Sequence, residues 1–254
     1  MSEVFADHPF QLLPTPAYQL RKDEKPDEFT NAATQMACAH NVMIRALNAI
    51  YLQAMHIRSD QEQAFLSFAH MWYKAVEHHH RTEEVYFFPL IEKMAAEKGV
   101  MQKDTEQHDA FQPGLKEYKD YIERCLSAQE NYSGKELVRI LDGFAPILWQ
   151  HLADEIPSFI SLRRYGDKLE GFHARLATEA KETETELGIL AGAVFLMVSH
   201  DVDYENGIHT NFPPIPAPIT WGLRNLAWWA HRDWWAFAPC DSSGKMRPLD
   251  IPSV

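Results

Sequence analysis

Cysteine is scarce in this chain. Only Cys38, Cys125 and Cys240 occur in 254 residues, an odd number at wide spacing that builds neither a disulfide framework nor a Cys-x2-Cys metal knuckle. A reducing, cytoplasmic setting is therefore expected. Basic charge is short as well: 24 Lys and Arg stand against 36 Asp and Glu, a net charge of −12. That balance excludes a general attraction to nucleic acid or to an anionic lipid surface and leaves cations as partners. The first ten residues carry Glu3 and Asp7 where a secretory leader has positive charge, so secretion is not expected. The longest apolar run, Leu187 to Val198, falls short of the roughly 20 residues that cross a bilayer and reads as a buried segment. Strand signals are nearly absent. No His-Glu-x-x-His, Gly-x-Ser-x-Gly or phosphate-loop pattern occurs, which removes the commonest metalloprotease, hydrolase and nucleotide-binding readings.

What is present is helical periodicity. Pro9, Pro14, Pro16 and Pro26 mark an extended arm over 1–27. Residues 28–57 then place Phe29, Ala33, Met36, His40, Met43, Leu47, Ile50 and Ala54 at steps of three or four, one stripe of a helix. Over 60–98 the stripe runs Phe65, Phe68, Trp72, Val76, His79, Glu83, Phe87, Leu90 and Met94 up to Gly99, a helix stop. A third helix over 102–128 carries His108, Phe111, Leu115, Tyr118, Ile122 and Cys125, and a fourth spans 135–164. Short connections make sequential helices antiparallel neighbours, so the expected fold is all-α, an up-down-up-down four-helix bundle over 28–165. Beyond it, residues 166–254 are read as an extra helix (about 167–186), the apolar run and a loop-rich tail. That tail holds Trp221, Trp228, Trp229, Trp234 and Trp235, too much apolar area to leave in water. It either packs on the bundle or serves self-association.

Four histidines, His40, His79, His108 and His151, each sit on the apolar stripe of a different helix. Counting from the turns puts His40 level with His79, and His108 level with His151, at about 1.5 Å per residue. Between Glu83 and His108 the counts differ by about 7 Å, which the connecting loop must absorb. His79-x3-Glu83 and His151-x3-Glu155 add a carboxylate one turn on, on the same helix face. Four imidazoles and two carboxylates without thiolate suit iron or manganese better than copper or structural zinc. Two buried carboxylates without a cation would be costly, and a metal is the economical explanation. His80-x3-Glu84 satisfies the same spacing, but His79 and Glu83 fall on the line through Trp72 and Val76. His78, His80 and Glu84 are then expected to support the ligands or face water. Trp72, Phe87, Phe88, Phe111 and Trp149 read as core packing that keeps the site dry.

The segments AHNVMIRALNAIY around His40, HHHRTEEVYFFP over 78–89, EQHDAF around His108 and HLADEI over 151–156 resemble, in order and spacing, the ligand segments of the hemerythrin-like (HHE cation-binding) family. WAFAPCDSSGK over 235–245 is similar to the ends of longer fungal members. The resemblance implies a non-haem centre of two oxo- or hydroxo-bridged irons, with His40, His79, Glu83, His108, His151 and Glu155 as metal ligands and bridging carboxylates. Its partner would be dioxygen or another small diatomic or peroxide.

The oxygen carriers have a second histidine four residues after the one on the third helix, where this chain has Gln112. One iron is thus expected to lack an imidazole, with the Gln112 amide beside it. An open position favours sensing iron or dioxygen over simple transport, with an oxidoreductase acting on peroxide, nitric oxide or a small organic substrate as the alternative. A third reading is an interaction protein that docks through the Trp-rich tail.

Overall fold

The computed structural model describes residues 3–183 and 189–251. After a short α1 (Pro16–Gln19), α2 (Glu28–Gln53) opens the bundle. Asp27 caps α2, its carboxylate accepting from Thr30 N at 2.8 Å and from Arg163 Nε at 2.6 Å, as helix N-termini require. α3 (Glu62–Thr82) continues through a π-helical turn (Glu83–Phe87) into α4 (Phe88–Ala95). α5 (Gln102–Leu126) and α6 (Gly134–Ser161), the latter capped by Ser133, complete four antiparallel layers. Among the described residues there is no β-strand, only an isolated bridge between Cys240 and Met246.

The π-helical turn has a chemical cause. Pro89 has no N–H to donate and its ring crowds the carbonyl four residues back. The next donor, Phe88 N, reaches Glu83 O instead, five residues away. The wider turn shifts the phase of α4 relative to α3: Phe88, Ile91 and Ala95 are buried, whereas Phe87, Leu90 and Met94, expected on the core stripe, are only partly so. Residues 60–98 are thus not one uniform helix.

Below the histidines the core is aromatic. Trp72, fully buried, meets Tyr118 edge-on at 5.1 Å and donates from Nε1 to Met43 O at 3.0 Å. α5 and α6 approach closely at Gly114, where a Cβ would fall 2.3 Å from Phe144 Cβ. In α2, 20 of 26 residues are buried, so both of its faces are covered and not only the stripe. The N-terminal arm covers one side: Asn41 exchanges hydrogen bonds with Leu13 N and O at 2.7 and 2.8 Å, and Asn48 accepts from Phe10 N at 3.0 Å.

The C-terminal part covers the other side through α7 (Phe172–Thr183), α8 (Ile189–Ser199) and α9 (Ala217–Asn225). Residues 184–186 of the expected extra helix and Leu187 and Gly188 of the apolar run lie outside the described residues. Within α8, Val194, Phe195, Met197 and Val198 are buried. The tail closes over the end of the bundle: Phe237 packs edge-on against Phe65 at 5.3 Å, its carbonyl accepts from Gln53 Nε2, and Trp235 is 1% exposed. Trp221 and Trp229 remain 61% and 59% exposed. No helix among the described residues is long and apolar enough to cross a membrane.

Candidate metal centre

Two overlapping clusters of donor atoms sit in the bundle core. His40, His79, Glu83 and Glu155 form one, and His80, Glu83, His108 and His151 form the other, with the atoms of each within 4.8 Å of one another. All six residues expected from the sequence lie here, and Glu83 belongs to both clusters. Although the helix counts around their link are unequal, Glu83 Oε2 and His108 Nε2 stand 3.6 Å apart. The connection through Ala96 and Gly99, with φ of 54° and 76°, absorbs the offset.

His80 corrects the sequence expectation. It is 2% exposed, its ring lies 4.7 Å from that of His108, and it stands among the donors instead of facing water. Gln112 is corrected as well: it is exposed on the outer face of α5, while Phe111 turns inward against His80 at 4.8 Å. The imidazole expected to be missing from α5 therefore has its place taken from α3, and five histidines converge. Consecutive histidines can do this because adjacent residues on a helix point about 100° apart. The repeat His78-His79-His80 carried that signal, but a stripe at steps of three and four admits only one of the three.

Four of the five rings are oriented by an acceptor behind them. His40 Nδ1 donates to Leu152 O at 2.8 Å and His80 Nδ1 to Val76 O at 2.7 Å. His108 Nδ1 donates to Glu84 Oε1 at 2.7 Å, and His151 Nδ1 faces Gln107 Oε1 at 3.3 Å. Gln107 Nε2 donates to Asp154, which leaves its oxygen for the ring. With Nδ1 protonated on both His108 and His151, their Nε2 lone pairs confront each other at 3.1 Å. Such outer partners fix the tautomer that frees Nε2. Glu84 and Gln107 thus hold ligand candidates in place, and nothing in the apolar stripes marked Gln107.

Electrostatically the pocket is set for a cation. Burial, reinforced by neighbouring histidines, holds His40 and His80 well below the usual imidazole range. Burial lowers His79 to about 4, and burial with His108 and His79 lowers His151 to about 2. All are neutral at pH 7, the form in which a ring nitrogen binds metal. Burial raises Glu83 and Glu155 well above the usual carboxylate range, with Asp104 and Glu84 adding to Glu83 and with Glu83 and Asp104 adding to Glu155. Among the described residues the oxygens of Glu83 and Glu155 face only the histidines of their own clusters, His79 Nε2 at 2.8 Å from Glu83 Oε1 and His40 Nε2 at 3.2 Å from Glu155 Oε2, and His80 Nε2 has no hydrogen-bond partner. Orphaned donor atoms of this kind are rare in native cores. A divalent cation between them would satisfy every one, so the residues present fit the metal that the resemblance implies. Phe88 and Phe111 wall the site, Phe88 stacking on His108 at 5.7 Å and Phe111 lying tilted beside it at 5.8 Å. Trp149 lies apart and donates to Gln11 O in the arm.

Comparison with known proteins decides the family. The family model for the hemerythrin HHE cation-binding domain matches residues 32–156. A protein of Cryptosporiopsis sp. (strain 8999), named dimeric xanthone biosynthesis cluster protein R11, is 31% identical over 224 residues, 85% of this chain and 81% of the relative. The chain belongs to the hemerythrin HHE cation-binding family. No solved structure matches it. The hemerythrin match spans α2 to α6 and contains all seven donor residues; the arm and the region after 156 lie outside it.

Proposed function

We propose that the chain is a non-haem di-iron protein of hemerythrin type that binds or senses iron and dioxygen. His40, His79, Glu83 and Glu155 would hold one iron, and His80, Glu83, His108 and His151 the other, with Glu83 shared. The observation that carries this reading is the convergence of two buried sets of nitrogen and oxygen donors that share Glu83, the atoms of each set within 4.8 Å of one another, with the Nε2 atoms of His108 and His151 only 3.1 Å apart. A nitrogen and oxygen set without thiolate supports iron over copper. Iron bound there would supply redox chemistry toward dioxygen or a related small ligand.

The surrounding residues shape that chemistry. The cluster of His40 and His79 has two imidazoles against three in the other. His79 is the donor that reaches solvent, its side chain 16% exposed while those of Glu83, His40 and His108 are at 0%. A small ligand would therefore enter at the His79 side, and Phe88 and Phe111 would keep bulk water from the other.

Anaerobic reconstitution with Fe(II) and metal analysis test the reading. Two irons per chain are expected, with loss on changing both His79 and His151 to Ala. A ratio near zero overturns it. A second reading, an oxidoreductase acting on peroxide, nitric oxide or a small organic substrate, gains support from the relative's name, which places that protein in a biosynthesis cluster. Turnover by the reduced, iron-loaded protein separates the two, since a carrier or sensor changes its spectrum with oxygen without consuming substrate. Trp221, Leu226 and Trp229 leave an apolar face open for self-association.

A further inference from the structure

On the far side of α2 from the donor clusters lies a group of polar atoms that the metal does not use. Arg45 is 1% exposed, yet Nε, Nη1 and Nη2 all lack a partner among the described residues. Its guanidinium lies 4.8 Å from the ring centre of Tyr204, and no described carboxylate forms an ion pair with it. Asp201 is close enough to be felt, but its Oδ1 accepts from Asp203 N within its own turn. A buried guanidinium whose three nitrogens lack acceptors is strongly unfavourable.

Three further buried atoms without a partner among the described residues are Ser199 Oγ and His200 Nδ1, where α8 ends, and Arg224 Nε on α9. Ser199 ends α8, and the chain from there is pinned under the tail, Cys240 N donating to Val198 O at 2.9 Å and Val202 N to Gly244 O at 2.9 Å. Arg224 reaches in from α9; a Cβ on Gly244 would lie 3.3 Å from its Nη2 and 3.4 Å from His200 O. Both arginines act on His200, and with burial as the main cause they lower it to about 4. His200 Nε2 donates to His209 O at 2.9 Å, so in the neutral ring Nδ1 is an acceptor. Two guanidinium groups offer N–H donors, a hydroxyl can serve either way, and the ring nitrogen calls for a hydrogen donated to it.

We propose that Arg45, Arg224, Ser199 and His200 form a binding site for a tetrahedral oxyanion that carries an acidic hydrogen, hydrogen phosphate being the simplest. Its charged oxygens match the guanidinium forks, as bidentate geometry favours, and its O–H matches His200 Nδ1. Carboxylate and sulfate offer acceptors alone and leave that nitrogen unpaired. Arg224 is only half-buried, which gives the ligand a way in from the surface. The site is separate from the iron reading and does not depend on it.

Calorimetric titration of the full chain with sodium phosphate at pH 7.5 tests the proposal, with sodium sulfate and sodium formate as parallel arms. One phosphate per chain is expected, with sulfate and formate at least ten-fold weaker. Arg45→Met should abolish the binding, and Arg224→Gln, at a partly exposed position, should weaken it at least five-fold while leaving iron content and thermal unfolding unchanged. The absence of saturable phosphate binding, equal affinity for sulfate, or phosphate binding that survives Arg224→Gln undiminished would overturn it. Because Arg224→Gln keeps the core intact, the result stands even if Arg45→Met does not fold.

Discussion

In the metal-free protein the candidate centre works against folding, and Glu83→Gln measures by how much. Burial raises Glu83 above its usual value of 4.5, so the folded state holds a proton that the unfolded chain releases. Folded metal-free protein then binds more protons than unfolded protein, and its stability falls as pH rises from 4.5. At about 1.4 kcal/mol per pH unit, the penalty from this one group reaches at most about 3.5 kcal/mol by pH 7. Glutamine keeps the shape and takes no charge. Chelator-treated Glu83→Gln is therefore expected to be more stable than chelator-treated wild type at pH 7, and equal to it near pH 4.5. In urea, with a slope near 3 kcal/mol per molar, the midpoint should rise by up to about 1 M. With iron the order reverses, because the variant loses the one donor common to both clusters. If metal-free Glu83→Gln is the weaker protein at pH 7, or if the gap does not close toward pH 4.5, the contact with His79 Nε2 at 2.8 Å outweighs burial and the argument fails.

His80→Ala should lower the iron content and change the optical spectrum, whereas Gln112→His should alter neither the spectrum nor the autoxidation rate, since position 112 faces solvent. Gly114→Ala drives a methyl into Phe144 where α5 and α6 cross and should cost about 1–3 kcal/mol in denaturant unfolding, the usual range for overpacking. Truncation at Gly207 removes Trp235 and Phe237 from the end of the bundle and uncovers Phe65. That product is expected to unfold or aggregate by circular dichroism and size-exclusion chromatography, and a folded, iron-binding bundle would contradict the packing described.

The all-α architecture was legible because apolar steps of three and four survive in every long helix, and with it came four histidines and two acids on inward faces. Two things were not. Periodic counting assumes one residue angle throughout, so the π-helical turn before Pro89 put Phe87, Leu90 and Met94 on the wrong side of the phase. The same assumption chose between His79 and His80, although both point into the core, while the resemblance to the oxygen carriers sent the search for a fifth imidazole to Gln112. Burial of the outer face of α2 was hidden for another reason. Ala32, Asn41, Arg45 and Asn48 lie off the apolar stripe and are buried only because the arm and the C-terminal part lie over them. Buried polar atoms such as these are specified by distant segments that no local window contains.

His79 and His80 are joined by a single peptide unit yet serve different donor clusters. Their Cα atoms are therefore held about 3.8 Å apart by covalent geometry, whatever the four helices do around them. The relative height of the donors on α2, α5 and α6 depends on side-chain packing instead. The step from one cluster to the next is cut into the backbone like the marks on a ruler. Loosening of the core would then strip donors from the centre one helix at a time, while the spacing between the two halves stays as it was.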